Sequence, residues 1–119
     1  MSSIQLGQIA HARSGDKGNH ANIGVVAYTS AGFDFLQRQL TADRVATFFA
    51  ELGTSSVDRF ELPRLGALNF VLHNALGGGA SESLRIDTQG KLLGTAILDL
   101  PLPAPSTDEL TKMMPTKSQ

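Results

Sequence analysis

Apolar and polar positions change period several times along this chain, and the changes divide it into short segments. Ile4-Gln5-Leu6 alternates, Gly7 interrupts, and Ile9-Ala10 resumes on the other phase, which reads as a strand over 4–10 with a bulge at Gly7. Residues 23–28, Ile-Gly-Val-Val-Ala-Tyr, form a short, nearly continuous apolar run that predicts a strand buried on both faces. Ser30-Ala31-Gly32 reads as a turn. Phe33, Leu36 and Leu40 then have helical spacing, although Gly32 and Asp34 weigh against a helix there. Thr41 opens a clearer helix: its hydroxyl can cap the first turn, and Asp43 suits the positive end of the dipole. Val45, Phe48, Phe49 and Leu52 follow on one face, and Gly53 is placed to end it.

Residues 57–62 read as a strand with one wet face, carried by Phe60 and Leu62 and ended by Pro63. From Pro63 or Arg64 the spacing of Leu65, Leu68, Leu72 and Leu76 predicts a second helix, broadened by Phe70 and Val71 and stopped by Gly77-Gly78-Gly79. Residues 83–87 and 91–100 read as two strands around the turn Asp87-Thr88-Gln89-Gly90. Pro101, Pro103 and Pro105 close the ordered domain, 1–105. The polar tail, 106–119, is expected to be frayed or weakly helical. The order strand, strand, helix, strand, helix, strand, strand predicts a two-layer α+β sandwich: a mixed β-sheet with two main helices on one face. The other face, expected to carry Val26, Tyr28 and Ile97, would then need a cover, so a homo-oligomer through the open sheet face is expected.

Composition narrows the function. The 119 residues are 41% apolar and 18% charged, a globular balance in one domain. There is no cysteine, which excludes disulfides and thiolate chemistry. A net charge of −1 argues against nucleic-acid or anionic-membrane surfaces. No apolar run approaches the roughly 20 residues of a membrane helix, and no signal peptide is evident, so a cytoplasmic location is expected.

Candidate chemistry concentrates in residues 11–24, expected to be a polar loop. Glycine-rich turns can cradle an anion, and Arg13, Ser14, Gly15, Asp16, Lys17, Gly18 and Asn22 supply charge and donors. The spacing fits neither the GxxxxGK[ST] nor the GxGxxG phosphate pattern. A loop that merely satisfies its own backbone is the plain alternative. A second candidate segment holds Asn69 and His73, four apart on the expected helix, with Gly77, Gly78 and Gly79 behind them; a solvated helix edge is the alternative there. His11, His20 and His73 have no metal-ligand spacing, and neither metal nor cofactor is expected. For proton transfer, His11 with Asp16 is the pair to consider. Ser14 lacks a nucleophile-elbow context.

Arg13-Ser14-Gly15-Asp16-Lys17-Gly18 followed by Ala21-Asn22-Ile23-Gly24 resembles the opening signature of the AtuA-like ferredoxin-fold family. So do Glu61-Leu62-Pro63-Arg64-Leu65-Gly66-Ala67-Leu68-Asn69-Phe70, and Leu76-Gly77-Gly78-Gly79 with Ser83-Leu84-Arg85. The resemblance covers roughly residues 4–100. It implies a ferredoxin-like sandwich and a setting in acyl-CoA or acyclic terpene and branched-chain catabolism. It also implies a larger partner of the AtuA N-terminal type, and it brings no catalytic residues with it. The expectation is an accessory or binding subunit with an acyl-CoA or carboxylate ligand. The alternative is a subunit of an acyl-CoA-transforming enzyme of hydro-lyase type, with residues 11–24 at its active site.

Overall fold

The computed structural model describes residues 3–17, 20–50, 56–73 and 89–115. Its elements run β1 (Ser3–Gln5), a 3-10 turn (Leu6–Gln8), β2 (Ala10–Lys17), β3 (His20–Ala27), α1 (Ser30–Gln39) and α2 (Ala42–Phe48). They continue with β4 (Ser56–Leu62), a second 3-10 turn (Pro63–Leu65), β5 (Ala67–His73), α3 (Gln89–Ile97), β6 (Pro101–Pro103) and α4 (Thr107–Met113). Four strands form the main sheet in the order β2-β3-β5-β4, and β1 pairs with β6 in a small second ladder. The α+β sandwich expected from the pattern is what the chain forms, although every ladder among the described strands is antiparallel rather than mixed. Two antiparallel steps separate β3 from β4, so these two strands run parallel, and α1 and α2 make the crossover between them.

The helices begin where the sequence offers caps. Thr29 Oγ1 accepts from the N–H of Gly32 at 3.0 Å and starts α1, so Ser30-Ala31-Gly32 is the first turn of a helix and not a separate turn. Thr41 Oγ1 accepts from Arg44 N–H at 3.1 Å and starts α2 as expected; Leu52 and Gly53 lie outside the described residues. Ser106 Oγ accepts from Glu109 N–H at 3.1 Å and starts α4, where Met113 is fully buried. The segment read as a frayed or weakly helical tail therefore contains a capped helix docked on α1, with Arg38 and Glu109 3.4 Å apart between them.

Four expectations from the sequence are corrected. Residues 11–17 and 20–24 are not loop but strand, paired across the β2–β3 ladder from Ala10 with Ala27 to Lys17 with His20. Residues 64–73 do not form the expected α-helix, and its expected end at Leu76 lies outside the described residues. After the 3-10 turn, Gly66 takes a left-handed conformation (φ 62°), and β5 follows with Leu68, Phe70 and Leu72 buried at period two. Residues 91–100 are not a strand: most of them belong to α3, which buries Leu93 and Ile97 one turn apart. Residues 4–10 are interrupted by a 3-10 turn, not a bulge. The expected strand 83–87 and the Gly77-Gly78-Gly79 stop fall outside the described residues.

One core sits between the sheet and its helices. Ala21, Ile23 and Val25 of β3 and Leu68, Phe70 and Leu72 of β5 meet Phe33, Leu36 and Leu40 at α1, Val45 of α2 and Ile97 of α3. Side chains alternate across β3, so the run read as buried on both faces is buried on one. Each fully buried side chain of this size contributes roughly 1.5–3 kcal/mol.

Candidate functional site

Residues opposite one another in an antiparallel ladder share a face of the sheet. The register therefore sorts the candidate residues into two sets. Ser14 pairs with Ile23, whose side chain is buried in the core, and so lies on the helix-covered face. Arg13 and Gly15 lie on the other face, in rows shared with β3, β5 and β4. One row reads Arg13, Gly24, Asn69, Phe60, and the next reads Gly15, Asn22, Val71, Asp58. No described helix is packed over these rows by contacts with them, and the face is half exposed.

Ser14 is a packing residue. The N–H of Gly94 donates to its Oγ at 2.7 Å. A Cβ added at Gly94 would stand 2.8 Å from that oxygen and 3.0 Å from the Ser14 nitrogen, too near for any other residue to fit without movement. The small hydroxyl and the missing side chain let α3 lie directly on β2. This contact joins residues 80 positions apart, and nothing in the local pattern marks Gly94 for it.

The open face has a different make-up. A Cβ at Gly15 would meet nothing within 4 Å, and one at Gly24 would meet only Asn69 Oδ1 at 3.8 Å. Both glycines are interior to strands, where glycine forgoes packing and strand propensity and often marks a place where another group approaches closely. Here they form a shallow floor. Arg13 and Asn69 flank Gly24 from the two neighbouring strands, about 10 Å apart by strand spacing, and Asn22 precedes it by two positions. The side chains of Arg13, Asn22 and Asn69 have no hydrogen-bond or ion-pair partner among the described residues. A planar guanidinium and two amides over an open floor suit a carboxylate or another planar oxygen-bearing group.

At one end of this floor stands a second group. The rings of His20 and His73 meet edge to face with centroids 4.9 Å apart, and His73 Nε2 lies 2.7 Å from Asp58 Oδ2. At the other end the surface turns apolar, with Tyr28, Phe60, Leu62 and Leu65 exposed. His11 packs against Tyr28 with ring centroids 5.6 Å apart. It is five residues from Asp16 along one strand, about 16 Å, and the two positions lie on opposite faces of the sheet. Val26 lies on the open face as expected and Tyr28 is exposed, but Ile97 belongs to α3 and is fully buried.

Of the first candidate set, Arg13, Gly15 and Asn22 come together on the open face; Ser14 faces the helices. Asp16 pairs with Ala21 and Lys17 with His20, and Gly18 lies outside the described residues. Of the second set, Asn69 and His73 join the open face on a strand rather than a helix, and Gly77, Gly78 and Gly79 lie outside the described residues. The two segments thus meet on one surface where they are described. Asp58, Gly24 and Phe60 were missed as members of it. The alternation of residues 57–62 could have placed Asp58 beside His73 had residues 67–73 been recognised as a strand. No group of three or more potential metal ligands occurs among the described residues, and no helix of the described residues is long and apolar enough to cross a membrane.

The chain matches the family model of the AtuA ferredoxin-like domain over residues 4–103. No curated protein and no solved structure matches it.

Proposed function

This chain belongs to the AtuA ferredoxin-like domain family, and from that premise we propose that it is an accessory binding subunit whose open sheet face holds a carboxylate or acyl-CoA ligand. The observation that carries this reading is the floor of Gly15 and Gly24 beneath three polar side chains, Arg13, Asn22 and Asn69, that have no partner among the described residues. Arg13 binds the anionic or carbonyl oxygen by its planar fork, and the two amides complete the donor set. The exposed apolar end at Tyr28 receives the hydrocarbon part. The setting is acyl-CoA, acyclic terpene or branched-chain catabolism in the cytoplasm, beside a larger partner of the AtuA N-terminal type.

A thermal-shift screen with CoA, acyl-CoA thioesters and small carboxylates tests it. A ligand at about 100 times its dissociation constant adds roughly 2.7 kcal/mol to stability, a clear rise in melting temperature. The rise is expected to vanish in Arg13→Ala and in Gly24→Val. A shift that survives both substitutions, or no shift with any of these compounds, sinks the reading.

A second reading is supported by the His73–Asp58 pair, held at 2.7 Å on the same face. In a subunit of an acyl-CoA hydro-lyase, Asp58 would orient the imidazole and His73 would move a proton at the bound acyl group. His73→Gln would then abolish turnover by the assembled complex while leaving ligand binding in place. Unchanged turnover in that variant would remove this alternative.

A further inference from the structure

Among the described residues the main sheet ends at β4. This edge is seven residues long, and five of the seven are exposed, with Phe60 at 51% and Leu62 at 41%. From Val57 to Leu62 such an edge presents outward N–H and C=O groups that can continue the ladder. Its charges are of both signs, Asp58, Arg59 and Glu61. Arg59 and Glu61 lie two apart on the helix-covered side, where Arg59 donates to the carbonyls of Gln37 and Leu40 and to Glu61 Oε2 at 2.8 Å. Charged side chains can blunt an edge against pairing, but Arg59 and Glu61 are of opposite sign and so complement each other in an antiparallel self-pairing.

We propose that a second copy of this chain pairs with β4 edge to edge, β4 against β4, making one antiparallel eight-stranded sheet about a two-fold axis. The axis fixes the register. In a continuous sheet the two copies keep their helices on the same side, so each residue must face one of its own parity. Three central registers satisfy this. Pairing Arg59 with its own copy places like charges together, and so does pairing Glu61 with Glu61. The register centred on Phe60 places Arg59 opposite Glu61 of the second copy twice over and stacks the two Phe60 rings across the axis. It also sets Asp58 opposite Leu62. The first residues of each β4 then run along a cleft of about 510 Å³ lined by Glu61, Leu62, Pro63, Arg64 and Leu65 on the other copy. The two Arg13 surfaces face the same way and stay open, so the pairing does not rest on the ligand reading.

Mass in solution together with a charge swap at the axis tests the pairing. Wild-type protein is expected at twice 12.6 kDa. Phe60→Asp and Phe60→Lys are each expected as monomers, because each sets like charges against each other, and an equimolar mixture of the two is expected to recover the dimer. Residue 60 is exposed, so both variants should keep the circular dichroism of the wild type. The chain has no cysteine, which makes the register directly readable. Phe60→Cys should form an intermolecular disulfide under mild oxidation and Asp58→Cys should not. A wild-type monomer, a Phe60→Asp variant that remains a dimer, a mixture that fails to pair, or cross-linking of Asp58→Cys as readily as Phe60→Cys would overturn the proposal. Arg13→Ala is expected to leave the mass unchanged, which separates a failure here from a failure of the ligand site.

Discussion

On one side of the main sheet, Ala21, Ile23, Val25, Leu68, Phe70 and Leu72 are all buried beneath the helices, and even the polar Ser14 is taken up in contact with Gly94. On the other side the same strands present Arg13, which is exposed, and Asn22, Gly24 and Asn69, which are partly buried, with space left above the glycines. The first side is built for close packing, so each atom has a neighbour and a changed volume is felt. The second gives up strand propensity at its glycines, which lowers stability and gains nothing for the isolated fold. The difference sets a packed face that holds the fold together against an open one on which the proposed binding reading rests.

Substitutions matched across the sheet should break that contrast if it is wrong. The largest effect is expected at Phe70, fully buried, where Phe70→Ala should cost about 3–5 kcal/mol. Phe60→Ala, on the adjoining strand but exposed, should stay within about 0.5 kcal/mol in dilute solution. Chemical denaturation of both variants gives the comparison directly, and similar losses would show that the open face is also core. Gly94→Val comes next: its side chain would drive into Ser14, and a loss of about 1–3 kcal/mol is expected. Ser14→Ala should cost about 1 kcal/mol, the order of one hydrogen bond, with no effect on ligand-induced stabilisation. The smallest effect on stability is expected from Gly24→Val, where a β-branched residue enters open space; melting should be unchanged or slightly raised while ligand response is lost. A Gly24→Val protein that unfolds would mean the glycine serves the fold.

Much of the element pattern could be read from the residues themselves. Thr41 and its apolar face gave α2, and the alternation at Phe60 and Leu62 gave β4, because caps and periodicity are local properties. The misread segments share one cause. Leu65, Leu68 and Leu72 fit a helical period, while Leu68, Phe70 and Leu72 fit a strand period equally well. Short apolar runs do not distinguish the two. Strand neighbours decided it, since residues 67–73 complete the ladders of both β3 and β4. Residues 91–100 were misread in the opposite direction, because Thr95 and Ile97 behind Gly90 look like a hairpin strand; Leu93 and Ile97 meet the core only as a helix lying on β2.

The polar stretch from His11 to Gly24 shows where the boundary lies. The sequence by itself determined that these residues are a site candidate, that the chain is a small globular α+β domain, and which family it resembles. Composition, caps and motif order are properties of the chain in one dimension. Only the tertiary structure decided that the stretch is a hairpin, that Ser14 serves packing while Arg13, Asn22 and Asn69 share an open surface, and that His73 meets Asp58. Face and register follow from hydrogen bonding between strands far apart in the chain, and a shift of one residue would exchange the two faces.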